Sequence, residues 1–371
     1  MKRILLIPAL CGLMIASFVI DTGAWDLPAI FDLLQVKFNH NTSSSSSDAI
    51  TIQSGYGSDI VAPEWYNDGA TNNKCAYIKS TVSTVKANFY CDEEGRATFD
   101  SLKIETFRSI GDYDWHLNST KVTFITNESG YISFQANSVP TTVGSWVVGW
   151  SWRIIEVDGV VQSPAKVCGG TTHNYYTILS EPQTPMSKPW TQVLDYTCSW
   201  ASGETTDSGA ATDITRNLYS NFGDQDGDID YTFDASIYSI SDPYYRNFYL
   251  TSFLDSLSIS SNVYVNCNDM ANLFAIYSAA IGIESETKQL KRNAGTDITN
   301  VIDPIGSTYG EQTATWNNHQ YGWLDLSKVY DAVLKFESET YPPTNMTQGD
   351  YDNELGFDYD TSNHGLVYLR D

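Results

Sequence analysis

The sequence predicts two folded domains, an all-β sandwich over residues 61–180 and an α+β domain over residues 191–371. The chain has 371 residues, 42% of them hydrophobic, which is enough for two domains with sizeable cores. Apolar residues follow a strand-like alternation in the first region and a helical spacing in the second. A proline-punctuated linker over residues 181–190 separates the two patterns, as is typical of a domain boundary.

Short strand-like segments separated by turn signals fill residues 61–180. The Asp158-Gly159 pair, for example, predicts a tight hairpin between two such segments. About seven strands in this length are what an immunoglobulin-like sandwich requires. Aromatic side chains in strands are usually buried, so we interpret Trp146, Trp150 and Trp152 as core residues. A carbohydrate-binding face is the alternative interpretation.

The N-terminus is typical of an export signal. Lys2 and Arg3 precede an uncharged, mostly apolar run over residues 4–20, and small residues at 22–24 fit a signal-peptidase site. We therefore predict a signal peptide over residues 1–24. An uncleaved membrane anchor is the alternative, because the run is near the minimum length that spans a bilayer. A serine-rich flexible tether is predicted over residues 25–60, and the protein is expected to be secreted or cell-surface.

The charge balance excludes one broad class of partner. The chain carries 45 acidic against 21 basic residues, a formal net charge of −24. Binding to nucleic acid requires clustered cations that neutralise phosphates, so a nucleic-acid partner is not expected.

Cysteine usage fits an exported protein and leaves one residue over. Beyond the apolar N-terminal run, the cysteines are Cys75, Cys91, Cys168, Cys198 and Cys267. Oxidising compartments favour paired cysteines, and a leftover one is a candidate reactive thiol. Four of the five allow three different pairings. We favour Cys75–Cys91, which flank one strand-like stretch, and then Cys168–Cys198 by elimination, which leaves Cys267 unpaired.

Cys267 lies at the predicted start of a helix. Asn266 is a suitable N-cap, apolar residues recur at helical spacing over residues 270–281, and Gly282 can end the helix. A helix N-terminus stabilises a thiolate, which is the nucleophilic form of cysteine. The alternative is that the cysteine simply packs in an amphipathic helix.

A histidine and an aspartate downstream complete a candidate triad. His319 lies in a strand-like segment, and Asp331 lies in the next one, beyond a predicted turn at Asp325. A hairpin of this kind brings Asp331 beside His319, where a carboxylate holds the imidazole in one tautomer while its other nitrogen faces a thiol. Asp325 is the alternative orienting residue, although an aspartate in a turn more often hydrogen-bonds its own turn.

These motifs resemble the transglutaminase-like domains of the papain-like cysteine protease superfamily. The stretch from Asn266 to Ala271 is similar to the nucleophile motif of that family, and His319 and Asp331 follow in the family's chain order. The resemblance covers about residues 190–335, and the β-rich half is similar to modules that precede such domains in bacterial secreted proteins. It implies that Cys267 is the nucleophile, His319 the general base and acid, and Asp331 the orienting carboxylate.

The resemblance implies a secreted thiol-dependent hydrolase or acyltransferase that acts on peptide or amide bonds, with a protein or peptide substrate and no required cofactor. Hydrolysis is favoured, because transfer to an amine requires exclusion of water from the acyl-enzyme. The chain departs from the family pattern at Gln320 and Tyr321, directly after His319. No clear side-chain oxyanion donor precedes Cys267, and Trp200 is a weak candidate. The alternative is a non-catalytic binding or surface-interaction protein that retains the fold.

An acidic cluster is a candidate cation site. Four aspartates, spaced around one glycine, lie in a predicted loop: Asp224, Asp226, Asp228 and Asp230. Calcium takes six to eight oxygen ligands in flexible loops, and such a cluster supplies several of them. The spacing is not that of an EF-hand, because Ile229 stands where that loop needs glycine. A structural calcium ion and a solvated acidic loop are the two interpretations.

Overall fold

The computed structural model describes residues 31–38, 49–60, 65–69, 72–111, 113–220, 228–234, 237–241, 246–259, 262–291, 297–306, 309–325, 327–356, 361–365 and 367–370. The signal peptide predicted over residues 1–24 and the serine run of the predicted tether lie outside these ranges. No helix within them is both long enough and apolar enough to cross a membrane.

The first half of the described chain forms two β-sheets around one core. The elements are β1 (Phe31–Phe38), β2 (Trp65–Tyr66), β3 (Cys75–Ile78), β4 (Val82–Cys91), α1 (Glu93–Arg96), β5 (Leu102–Ile110), β6 (Thr120–Val122), β7 (Ile132–Ser138), β8 (Gly144–Val157) and β9 (Val160–Ile178). One sheet has the strand order β2-β1-β4-β7, and the other has the order β3-β9-β8-β5-β6. Neighbouring strands are antiparallel except β3 and β9, which are parallel. This two-sheet arrangement fits the predicted sandwich, and its immunoglobulin-like assignment stays a prediction.

Side chains from both sheets meet in the sandwich core. Val85 and Phe89 of β4 belong to the same buried cluster as Trp150 and Trp152 of β8. The core assignment of these two tryptophans is therefore confirmed. Trp146 is half-buried at the edge of that cluster, and its indole N–H donates to the hydroxyl of Thr177 at 2.7 Å.

The tether predicted over residues 25–60 is wrong for the part that the structure describes. β1 lies between β2 and β4, and Leu33, Val36 and Phe38 are buried in the sandwich core. Ala49 is also buried in the sandwich core, whereas Ile52 is buried in the core of the second half and Gln53 N donates to Pro189 O at 2.8 Å. The prediction extended the composition of the serine run to the segments on either side of it, although those segments contain apolar residues that are buried.

The predicted disulfides are also wrong, because none of the five described cysteines is disulfide-bonded. Cys75 and Cys91 lie on β3 and β4, which belong to different sheets. Cys168 lies in the sandwich core, whereas Cys198 lies in the core of the second half. Their thiols are buried, and in such surroundings a cysteine behaves as a small hydrophobic residue.

The second half of the described chain mixes helices with short strands. The helices are α2 (Thr191–Trp200), α3 (Asp207–Tyr219), α4 (Leu250–Ile259), α5 (Cys267–Ala280) and α6 (Gln348–Leu355). The strands are β10 (Asp228–Tyr231), β11 (Ser239–Ser241), β12 (Arg246–Tyr249), β13 (Asn262–Val265), β14 (Ser285–Lys291), β15 (Asp297–Ile298), β16 (Ile302–Pro304), β17 (Thr315–Trp316), β18 (Asn318–Leu324), β19 (Lys328–Tyr330), β20 (Leu334–Phe336), β21 (Met346–Thr347), β22 (Thr361–Gly365) and β23 (Val367–Arg370).

A five-stranded sheet carries His319, and Asp331 directly follows one of its strands. A sheet of order β21-β19-β18-β14-β22 contains β18, and β10 pairs in parallel with β13, the strand that leads into α5. The remaining strands form the sheet β11-β12-β23 and the pairs β15–β17 and β16–β20. Helices and strands in this order match the predicted α+β class.

Helix α5 is the centre of this half. Every residue of α5 except Asn268 is buried, which is the pattern of a helix surrounded by protein on all sides. Gly322 of β18 allows the close approach of this helix, because a Cβ atom there would lie 2.1 Å from Cδ1 of Phe274. The packing of α5 against β18 therefore requires glycine at position 322.

Candidate active site

Cys267 is the first residue of α5, as predicted. The side chain of Asn266 accepts hydrogen bonds from the N–H groups of Asn268 (2.9 Å) and Asp269 (3.2 Å), and Asp269 in turn accepts from Asn266 N (3.3 Å). This reciprocal capping box fixes where the helix begins. Gly282, with φ of 90°, follows the helix C-terminus. The thiol therefore lies at the positive end of a buried helix dipole, with its residue 7% exposed.

The buried carboxylate of Asp269 also holds the loop beside this helix end. It accepts hydrogen bonds from the backbone N–H groups of Ile237 (3.3 Å) and Tyr238 (3.2 Å). Burial raises the pKa of Asp269, whereas the hydrogen bonds from Ser239 and the backbone lower it. Asp269 thus ties the segment that leads into β11 to the start of α5.

His319 and Asp331 form the predicted pair. Nε2 of His319 lies 2.8 Å from Oδ2 of Asp331, and both side chains are fully buried. β18 and β19 pair in antiparallel register, with Gly322 opposite Tyr330, so Asp331 follows the end of β19 on the side of His319. Asp331, and not the alternative Asp325, is therefore the carboxylate that contacts His319, and the catalytic roles of the two residues stay a prediction.

One face of the His319 imidazole is covered by an aromatic ring. The ring of Trp316 stacks on it with centroids 4.3 Å apart and an interplanar angle of 5°. With Nε2 engaged by Asp331, Nδ1 is the nitrogen left for the thiol. No standard hydrogen bond joins Nδ1 to a described residue, yet Cys267 lies close enough to act on the charge of the ring. Such contacts are often long in unliganded enzymes.

The charge state of His319 reflects these neighbours. Burial alone lowers the pKa of the imidazole, but the carboxylate of Asp331, and after it the nearby Cys267, outweigh burial and raise the pKa to about 9. At neutral pH the ring is therefore an imidazolium between two groups that carry or can carry negative charge.

Two residues that sequence reasoning missed complete the site. Tyr351 of α6 donates its hydroxyl hydrogen bond to Oδ2 of Asp331 at 2.5 Å, and Val333 N donates to Oδ1 at 2.9 Å. Burial, then the charge of Asp331, raises the pKa of Tyr351, so its hydroxyl stays a donor. Asp331 consequently has a fixed orientation that does not depend on His319 alone.

Tyr231, the last residue of β10, is the second missed residue. Its side chain is buried, and it pairs with Val265, two residues before Cys267. Burial first, and then the charges of Cys267 and Asp331, raise its pKa. A phenol in this position stays neutral and keeps its hydroxyl hydrogen near the start of the helix that carries the thiol. No local motif marked it, because β10 reaches the site through parallel pairing with β13.

The prediction of Trp200 as a weak candidate for an oxyanion donor is wrong. Its ring packs against Tyr196 and Tyr277, at centroid distances of 5.3 and 5.5 Å. Tyr277 is ten residues along α5 from Cys267, or about 15 Å at the rise of an α-helix. Trp200 is therefore at the far end of the helix from the thiol.

The departures at Gln320 and Tyr321 have structural roles. Gln320 donates its amide hydrogen bond to Asn272 of α5 at 3.3 Å, on the opposite face of β18 from His319. Tyr321 donates to Oε1 of Gln348 at 2.6 Å, and Lys288 donates to the same oxygen at 2.7 Å. Neither residue enters the contact between His319 and Asp331.

The acidic cluster is only partly within the described residues. Asp224 and Asp226 lie outside them, Asp228 begins β10, and Asp230 is buried within the same strand. The described residues contain no group of three or more His, Cys, Asp or Glu side chains that fits a metal ion. The calcium assignment therefore stays a prediction.

Comparison with solved structures adds a structural likeness. No protein-family model and no curated protein matches the sequence. The chain is similar to the crystal structure of red sea bream transglutaminase, with 9% sequence identity and a TM-score of 0.36. The similarity covers 77% of this chain and 53% of that chain, so the chain spans about half the length of the transglutaminase.

Proposed function

We propose that this protein is a secreted thiol-dependent enzyme that acts on peptide or amide bonds through Cys267, His319 and Asp331. The observation that carries the proposal is the buried His319, held by Asp331 at 2.8 Å, with Cys267 at a helix N-terminus near its other nitrogen. A buried imidazole oriented by a carboxylate and facing a thiol is the arrangement that activates a cysteine nucleophile. The assignment to a transglutaminase-like domain, and export by residues 1–24, belong to the same proposal.

The first half-reaction forms a thioester. Because His319 is already protonated at neutral pH, Cys267 reacts as the thiolate of an ion pair with Nδ1–H, and its sulfur attacks the substrate carbonyl carbon. The carbonyl oxygen becomes an oxyanion, which accepts hydrogen bonds from the backbone N–H of Cys267 and the hydroxyl of Tyr231. The first N–H groups of a helix have no intrahelical acceptor, so the Cys267 N–H is available for this role. The intermediate collapses, and Nδ1–H protonates the departing amine.

The second half-reaction releases the acyl group. His319 is neutral once Nδ1–H has protonated the amine, and acylation removes the thiol that helps to raise its pKa, so the neutral form that accepts a proton from an incoming water molecule is favoured. His319 takes the water proton, hydroxide adds to the thioester, and the carboxylic acid leaves as the thiolate re-forms. An amine in place of water gives acyl transfer. Hydrolysis is the proposed outcome, because water competes in any site that does not exclude it.

Alkylation of Cys267 by iodoacetamide as a function of pH tests this proposal. We expect labelling, located by mass spectrometry, to continue well below about pH 8.5, where ordinary thiols become unreactive. A His319→Ala variant should lose this low-pH labelling. Cys198 supplies an internal control, because it is fully buried and burial raises its pKa above the ordinary value.

A non-catalytic binding protein is the second candidate, and one contact favours it. Tyr231 is close enough to hydrogen-bond the thiol, and a permanent contact of this kind keeps substrate carbonyls away from it. This candidate predicts slow labelling of Cys267 that follows an ordinary thiol curve and is unchanged by His319→Ala. That result would remove the enzyme from consideration.

A further inference from the structure

A row of aromatic rings leads from the thiol to the protein surface. Tyr231 and Phe233 are two residues apart and lie edge to face with ring centroids 4.9 Å apart. Tyr309 packs edge to face on Phe233, also at 4.9 Å, and lies 6.4 Å from Tyr231. We name these three rings the aromatic strip. Its inner end, Tyr231, is buried and pairs with Val265, two residues before Cys267, and its outer end is open to solvent.

The strip is held in place by the backbone around it. Tyr231 N donates to Ile305 O at 3.1 Å, which ties the segment before Tyr309 to β10. Gly306, with φ of 87°, permits this approach, because a Cβ atom there would lie 2.4 Å from Oδ1 of Asp230. The position of Tyr309 beside Phe233 thus follows from a close contact that requires glycine.

The two outer rings of the aromatic strip, Phe233 and Tyr309, are exposed to solvent. Phe233 is 43% exposed and Tyr309 is 41% exposed, although each has an aromatic partner and stands close to a large core. Scattered apolar side chains on a surface need no explanation, but paired rings that continue into a reactive site mark a ligand-binding surface. Edge-to-face rings with open faces suit an apolar or aromatic side chain.

Resting on the proposed function, we propose that Phe233 and Tyr309 form a subsite for an apolar or aromatic side chain on the acyl part of a peptide substrate. Tyr231 is the ring of the strip nearest to the proposed oxyanion. The substrate side chain that binds Phe233 and Tyr309 therefore belongs to the residue whose carbonyl is attacked or to its neighbour. An extended peptide advances about 3.5 Å per residue, so the 6.4 Å between the rings of Tyr231 and Tyr309 corresponds to about two residues of substrate. The subsite would select apolar residues next to the cleaved bond.

Acylation by two activated esters tests the subsite. The probes are the p-nitrophenyl esters of N-acetylphenylalanine and N-acetylglycine, with the p-nitrophenolate burst measured by stopped flow on the full chain. Each rate is divided by the rate of the same ester with N-acetylcysteine, which removes its intrinsic reactivity. We expect a corrected preference of about tenfold for the phenylalanine ester, the lower end of what an apolar pocket supplies.

Variants locate the preference. Phe233→Ala and Tyr309→Ala should each lower the preference by about threefold or more, since each removes part of one apolar surface. Phe107→Ala is the matched control, because Phe107 is a 55% exposed aromatic residue of the sandwich, and it should leave the preference unchanged. Thermal unfolding of each variant checks that the fold is intact, and the two subsite variants serve as independent tests.

Each outcome has a distinct meaning. Equal corrected rates for the two esters, or a preference that neither variant lowers, would overturn the subsite and leave the thiol enzyme standing. No burst above that of a Cys267→Ala variant with either ester would overturn the proposed function and the subsite with it.

Discussion

Replacement of Asp331 by asparagine should change how the stability of this protein depends on pH. In the native protein the pKa of His319 is raised from its ordinary value of 6.5 to about 9, with Asp331 as the largest raising influence. Below pH 6.5 the imidazole is protonated in both the folded and unfolded chains, so the stabilisation is fully present. Between pH 6.5 and about 9 the unfolded chain loses this proton first, and the free energy of unfolding falls.

The size of the effect follows from the shift. One pKa unit corresponds to about 1.4 kcal/mol, so His319 contributes a loss of about 3 kcal/mol between pH 6.5 and pH 9. Asp331→Asn keeps the shape of the side chain but removes its charge, so the variant should lose much less over this range. It should also be less stable at pH 6, because a buried imidazolium without its carboxylate is unfavourable.

Urea denaturation at pH 6, 7, 8 and 9 measures both quantities, and only the difference between native protein and variant is interpreted. Asp114→Asn is a matched control, because Asp114 pairs with His116 at 3.2 Å on the exposed surface, where solvent screens the interaction. Its pH dependence should follow that of the native protein. Equal losses of stability in the native protein and Asp331→Asn would refute the reasoning.

Three further perturbations test other parts of the structure. Gly322→Ala should destabilise the fold by about 1–3 kcal/mol, because the added methyl group meets Phe274, whereas Gly349→Ala has open space and should be nearly neutral in the same urea titration. Tyr231→Phe should slow acylation by p-nitrophenyl esters about 100-fold if its hydroxyl binds the oxyanion, and an unchanged rate would exclude that role. Burial lowers the pKa of His173 to about 3, so the native protein should lose stability as the pH falls below 6.5, and His173→Leu should flatten this loss in acid-side unfolding curves.

Local signals made the nucleophile predictable. The start of α5 is determined by residues within three positions of Cys267, since Asn266 and Asp269 form the capping box between themselves. The pairing of His319 with Asp331 needed one more assumption, a hairpin between adjacent strands. Contacts between neighbours in sequence are the ones that patterns of capping, turns and alternation report.

The residues that sequence reasoning missed reach the site through distant parts of the chain. Tyr231 arrives on β10, whose partner strand β13 is about thirty residues away, and parallel pairing of this kind leaves no turn signal. Tyr351 arrives on α6, twenty residues beyond Asp331. The disulfide prediction failed for a related reason. It paired Cys75 with Cys91 because they are close along the chain, whereas the two residues lie in different sheets.

The site separates catalytic from structural roles in a way that matters for finding a substrate. Asp331 accepts hydrogen bonds from His319, Tyr351 and Val333, so removing it disturbs three buried groups at once. Within the described residues, the thiol of Cys267 has one side-chain hydrogen bond of standard geometry, a 3.9 Å contact with Oδ1 of Asn268. Cys267→Ala should therefore keep the aromatic strip and the buried His319–Asp331 pair in place, while the covalent step is lost. That variant is the one to use for capturing a bound peptide, because it removes the reaction and keeps the surface that would recognise the peptide.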